Sequence, residues 1–66
     1  MAEQPDHLGE VIYEFIPMGR YVKVAAVDPA TLTEVSIVGD PAVGETQLKR
    51  QARRKLAYVL AKKAQN

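Results

Sequence analysis

Tyr21-Val22-Lys23-Val24-Ala25-Ala26-Val27 is the stretch from which the fold is read. Its β-branched and aromatic residues suit a pleated, half-buried strand, and turn-forming residues stand on both sides of it. Ahead lies Pro17-Met18-Gly19-Arg20, where proline pre-sets one φ and glycine can take a positive one. Behind lies Asp28-Pro29-Ala30-Thr31, with Asp and Pro where a type I turn wants them. Beyond each turn comes another strand-like run, Glu10-Val11-Ile12-Tyr13-Glu14-Phe15-Ile16 on one side and Thr33-Glu34-Val35-Ser36-Ile37-Val38 on the other. Three strands joined by two short connections predict an antiparallel meander.

Side-chain parity sorts these residues into two faces. With Pro17–Arg20 as a four-residue loop, Ile16 pairs with Tyr21, Phe15 with Val22, Tyr13 with Val24 and Val11 with Ala26. Glu14 then meets Lys23 on the opposite face, an opposite-charge cross-strand pair. With Asp28–Thr31 as the second loop, Val24 faces Val35 and Val22 faces Ile37. A one-residue slip would set Glu14 against Val22 and Tyr13 against Lys23, which is worse on both counts. One face is therefore wholly apolar: Val11, Tyr13, Phe15, Val22, Val24, Ala26, Val35 and Ile37. The other carries Glu14, Lys23, Ala25, Glu34 and Ser36 among larger apolar groups. Those groups, Ile12, Ile16, Tyr21, Val27 and Val38, are more than a solvated face normally shows. They are the candidate dimer face, a second copy being the simplest cover.

Gly39-Asp40-Pro41-Ala42-Val43-Gly44 reads as a linker. A helix follows, opened by Glu45 and Thr46 near the positive end of its dipole and closed by Lys62 and Lys63 near the negative end. Leu48, Ala52, Leu56, Val59 and Leu60 recur at helical spacing and form one apolar stripe. This helix is about 25 Å long against roughly 20 Å for a six-residue strand. It overhangs its own sheet, which again points to a second chain. Residues 1–9 read as a frayed tail interrupted by Pro5 and Gly9, and residues 10–64 as one β-β-β-α domain of the α+β class.

Sixty-six residues with no cysteine and a single histidine leave few ways to support so small a core. Domains of this size bury only about 60% of the unfolded chain's surface. Disulfides are excluded, and His7, alone in a polar stretch, offers no structural metal site. Oligomerisation is the remaining support, and a homodimer is the expected form; the six-residue linker could also pass the helix to a neighbour in a domain swap. No apolar run approaches the ~20 residues of a membrane span. The acidic start Met1-Ala2-Glu3-Gln4-Pro5-Asp6 lacks the order of a signal peptide, so the expected address is the cytoplasm.

Catalysis finds no constellation to carry it. One histidine and no cysteine assemble no nucleophilic set, and the isolated glycines form no phosphate cradle. No enzyme activity and no cofactor are expected. Charge is distributed unevenly instead: residues 1–44 carry seven acidic and two basic side chains, residues 45–66 one acidic and seven basic. Lys49, Arg50, Arg53, Arg54 and Lys55 place five cations within seven residues. On a helical wheel Arg50, Arg53 and Arg54 fall opposite the Leu48/Leu56 stripe. Arginine forks match phosphate or carboxylate oxygens, so Lys49, Arg50, Arg53 and Arg54 are the candidate anion or nucleic-acid surface. An acidic protein partner and a merely solvated face are the competing readings. Single-strand binding is not favoured, because Tyr13 and Phe15 belong to the core face and leave only Tyr21 and Tyr58 for stacking.

Residues 19–28 (Gly-Arg-Tyr-Val-Lys-Val-Ala-Ala-Val-Asp), 33–39 (Thr-Glu-Val-Ser-Ile-Val-Gly), Leu48-Lys49-Arg50 and 54–60 (Arg-Lys-Leu-Ala-Tyr-Val-Leu) carry a resemblance over about residues 10–63. The chain resembles short uncharacterised proteins of alphaproteobacteria grouped as a domain of unknown function, and that resemblance implies no activity. In order of elements alone it also resembles the later part of a double-stranded-RNA-binding domain, which implies phosphate contacts from Lys49, Arg50, Arg53 and Arg54. The first helix of that fold, with its minor-groove contacts, has no counterpart here. The expected function is a small homodimeric protein-interaction module; the alternative is a nucleic-acid-binding module that uses the basic helix.

Overall fold

The computed structural model describes residues 8–64. Three strands, β1 (Ile12–Met18), β2 (Tyr21–Asp28) and β3 (Thr33–Gly39), form one antiparallel sheet in the order β1-β2-β3. A single 3₁₀ turn at Pro41–Val43 leads to the helix α1 (Glu45–Ala64). This is the expected α+β meander with one C-terminal helix. No helix is long and apolar enough to cross a membrane among the described residues.

Both pairings differ from the expected register by two residues. Met18 rather than Ile16 stands opposite Tyr21, and β1 begins at Ile12 rather than Glu10. The first connection is thus only Gly19-Arg20. Gly19 has φ 62° while Arg20 does not share the positive sign, the pattern of a type II′ hairpin turn. Such two-residue loops twist in the sense of the strands they join. Pro17, taken for a turn former, is tolerated inside β1 because β1 is an edge strand. The second connection runs from Pro29 to Leu32, so Val24 faces Ile37 and Ala26 faces Val35. Asp28 builds that loop: its carboxylate accepts from the Ala30 amide at 3.2 Å and the Thr31 hydroxyl at 2.8 Å, and its carbonyl accepts from the Leu32 amide at 2.8 Å.

A slip of two leaves every side chain on its own face. The core cluster is Val22, Val24, Ala26, Val35, Leu48, Ala52 and Leu56, with Leu8, Val11, Tyr13, Phe15, Ile37, Val59 and Leu60 packed against it. All eight expected core-face strand residues are among them. The slip replaces every expected cross-strand pair, and the opposite-charge one is lost with them: Glu14 stands opposite Ala25, and Lys23 lies between Ile16 and Val38.

The connection from β3 to α1 is a built turn. The Asp40 side chain accepts from the Ala42 amide at 2.9 Å, and Gly44 takes φ 101° as the chain reverses. The helix is thereby laid back across the core face of its own sheet. It comes close there, with Ala52 fully buried and Leu48 pressed over the end of β3. A Cβ added to Gly39 would sit 2.5 Å from Leu48 Cδ2. The tail expected over residues 1–9 falls outside the described residues up to position 7, His7 included. Leu8, assigned to that tail, packs against the core cluster.

Candidate interaction surfaces

With α1 covering one face, the other face of the sheet is left open. The register sets it out in four rows across the strands: Ile12–Val27–Glu34, Glu14–Ala25–Ser36, Ile16–Lys23–Val38 and Met18–Tyr21. Ile12 is 50% exposed, Met18 49%, Tyr21 52% and Val38 59%. Ile16 and Val27 are half-buried by their neighbours alone. The five residues expected to form a dimer face therefore share one surface. Met18, which in sequence stands between Pro17 and Gly19 and reads as part of a turn, joins them opposite Tyr21. At the centre Ala25 is almost fully buried, covered by the longer side chains around it.

The edges of this sheet are unequally protected. On the β3 edge Lys55 Nζ donates to the Ser36 carbonyl at 2.9 Å, which occupies a backbone acceptor on an edge strand. On the β1 edge Pro17 removes a donor. Both devices discourage edge-to-edge strand addition and leave the face as the open surface.

The basic cluster is divided by the fold. Lys49 is half-buried with its ammonium 5.4 Å from the centre of the Tyr13 ring, a cation–π contact of about 0.5–1 kcal/mol. Arg53 Nη2 donates to the Leu8 carbonyl at 3.2 Å. Lys63 Nζ donates to Thr33 Oγ1 at 3.3 Å, and Lys62 lies 5.6 Å from the Tyr58 ring centre. Arg50 and Arg54, one turn apart, are exposed. The surface expected from four cations is thus an outward pair, Arg50 and Arg54, with Lys49 and Arg53 turned along the flank of the helix toward β1 and Leu8.

The C-terminal half of α1 packs Leu56, Val59 and Leu60 against the core and runs beside the second loop. Leu8, Thr31, Ala57, Leu60, Ala61 and Ala64 line an open groove of about 760 Å³ there. Beside it the loop carries Leu32, with φ 60° and 81% exposure, a leucine both strained and bare. Among the described residues no three His, Cys, Asp or Glu side chains gather as metal ligands.

A three-stranded meander followed by a single helix defines a small α+β domain. The family model of a domain of unknown function, DUF6898, matches residues 8–63. The chain belongs to the DUF6898 family. No curated protein matches it. No solved structure matches it either.

Proposed function

We propose that this domain is a small, non-catalytic protein-interaction module that works as a homodimer in the cytoplasm, with the open sheet face as its seam. The observation that supports the reading is the uncovered apolar set Ile12, Ile16, Met18, Tyr21, Val27 and Val38 on a sheet whose other face is already filled by α1. Exposed apolar surface of this kind favours burial at about 25 cal/mol per Å². A second copy supplies matching surface without a further gene product. The helix need not be exchanged for this, since it already covers its own core.

Charge on the open face, Glu14, Lys23 and Glu34, would give such a seam orientation as well as affinity. The test is association of the purified chain against concentration, compared with Tyr21→Glu and Val38→Glu. Both positions are more than half exposed, so neither variant should lose its fold. The expected result is dimer for the parent chain and monomer for both variants; a parent chain that stays monomeric up to about 1 mM, a concentration at which even millimolar contacts register, contradicts the reading.

A second reading has one observation in its favour: Arg50 and Arg54 stand exposed one turn apart on the outer ridge of a helix carrying seven cations. Duplex nucleic acid bound there would lose affinity steeply with salt. Arg50→Glu with Arg54→Glu should abolish that binding and leave the fold unchanged. No mobility shift of duplex RNA or DNA at low salt removes this reading.

A further inference from the structure

The rows of the open face contain more than a patch of apolar area: they specify how two copies would lie on it. Two sheets stacked face to face keep their strands within about 30° of each other. A two-fold pair with strands so aligned has two choices of axis in the plane of contact. If the axis runs along the strands through β2, each row meets itself with β1 over β3. Lys23 then faces its own copy, Ala25 faces Ala25 across a gap, and Ile12 faces Glu34. Like charges would meet at the centre, where solvent is most fully excluded.

If the axis runs across the strands, between the Glu14–Ala25–Ser36 row and the Ile16–Lys23–Val38 row, the rows exchange. Tyr21 then lies on Val27 of the other copy and Met18 on Ile12, apolar against apolar at both ends. At the centre Lys23 comes over the Ala25 row, where Ala25 itself, 1% exposed, is already covered by its neighbours. The ammonium lies above that row beside Glu14, the row neighbour of Ala25 on β1, which itself comes over Ile16. Within one chain, Glu14 and Lys23 are only diagonal neighbours and form no ion pair among the described residues. Both charges stand on the open face, Glu14 exposed and Lys23 half-buried, and the second axis brings them together across the seam, twice by symmetry.

We infer that the partner of the open sheet face is a second copy of this chain stacked with its two-fold axis across the strands, so that Lys23 of each copy sits over Ala25 and against Glu14 of the other. This inference rests on the homodimer reading given above and adds its geometry. The face measures about 14 by 24 Å from strand spacing and rise, roughly 340 Å² per copy and less than half the ~800 Å² per partner of a standard interface. Association should accordingly be weak, in the upper micromolar range or above.

Charge reversal tests the axis. Lys23→Glu sets two carboxylates together at each of the paired sites, and Glu14→Lys sets two ammonium groups together. Each single variant should weaken self-association by about tenfold or more. Combining both changes in one chain should restore it, and so should mixing the two single variants as separate chains. Sedimentation equilibrium reads all four samples, with circular dichroism confirming that each remains folded; should a single variant lose its fold, the chain carrying both changes still decides the matter by dimerising or not. Loss followed by restoration supports the inference. A parent dimer that neither variant weakens, or that the combined change does not restore, overturns the axis while leaving the homodimer intact. A parent chain that never associates overturns both.

Discussion

Leu32 is the residue whose backbone works against its side chain. A leucine at φ 60° brings Cβ close to its own backbone and costs about 1–2 kcal/mol. Its side chain, 81% exposed, recovers little of that by packing. Leu32→Gly is therefore expected to raise stability by about 0.5–1 kcal/mol, after allowing for glycine's larger unfolded-state freedom, and a urea titration would show the higher midpoint. Gly39 is the opposite case, since Leu48, itself 2% exposed, occupies the space a methyl would need. Gly39→Ala should cost about 1–2 kcal/mol as Leu48 is forced from its place, seen as a lower melting temperature. A leucine at the end of a turn where glycine would be easier is legible in sequence as a site of strain or exposure, and Leu32 shows both. The Gly39 effect is not legible, because only the approach of α1 makes a glycine ending a strand consequential.

At the scale of elements, alternation was legible and loop length was not. Tyr13, Phe15, Val22, Val24, Ala26, Val35 and Ile37 can point one way only if the intervening residues point the other, so the buried face followed from period alone. Loop length depends on backbone choices that side chains signal weakly. Pro17 and Asp28 look like turn formers wherever they stand; in fact Pro17 sits in an edge strand and Asp28 is the last residue of β2, closing the loop from below. Each turn assignment moves its register by two, the smallest slip that preserves the faces, and together they hide the separation of Glu14 from Lys23 and the place of Met18 on the open face. The helix stripe was legible for the same reason as the sheet. Leu56 is fully buried, and Leu56→Ala should remove about 2–5 kcal/mol. A domain this small has a net stability of only about 3–5 kcal/mol, so the variant should be largely unfolded at 25 °C by circular dichroism.

For the whole molecule, the divided cluster of cations is the clearest difference between wheel and fold. A helical wheel treats Lys49, Arg50, Arg53 and Arg54 as one surface. The fold sets Lys49 over the Tyr13 ring and Arg53 on the Leu8 carbonyl, because the helix lies close enough to the sheet for long side chains to reach down its flanks. What remains uncovered at this scale is the far side of the sheet, and the account turns on whether another copy covers it. The most direct measurement is sedimentation equilibrium of the full chain from about 10 µM to 1 mM, the range over which a micromolar pair assembles. The account predicts a mass that climbs toward twice the 7.3 kDa of one chain and falls back to one chain in Tyr21→Glu. A constant mass of 7.3 kDa across the whole range would contradict it.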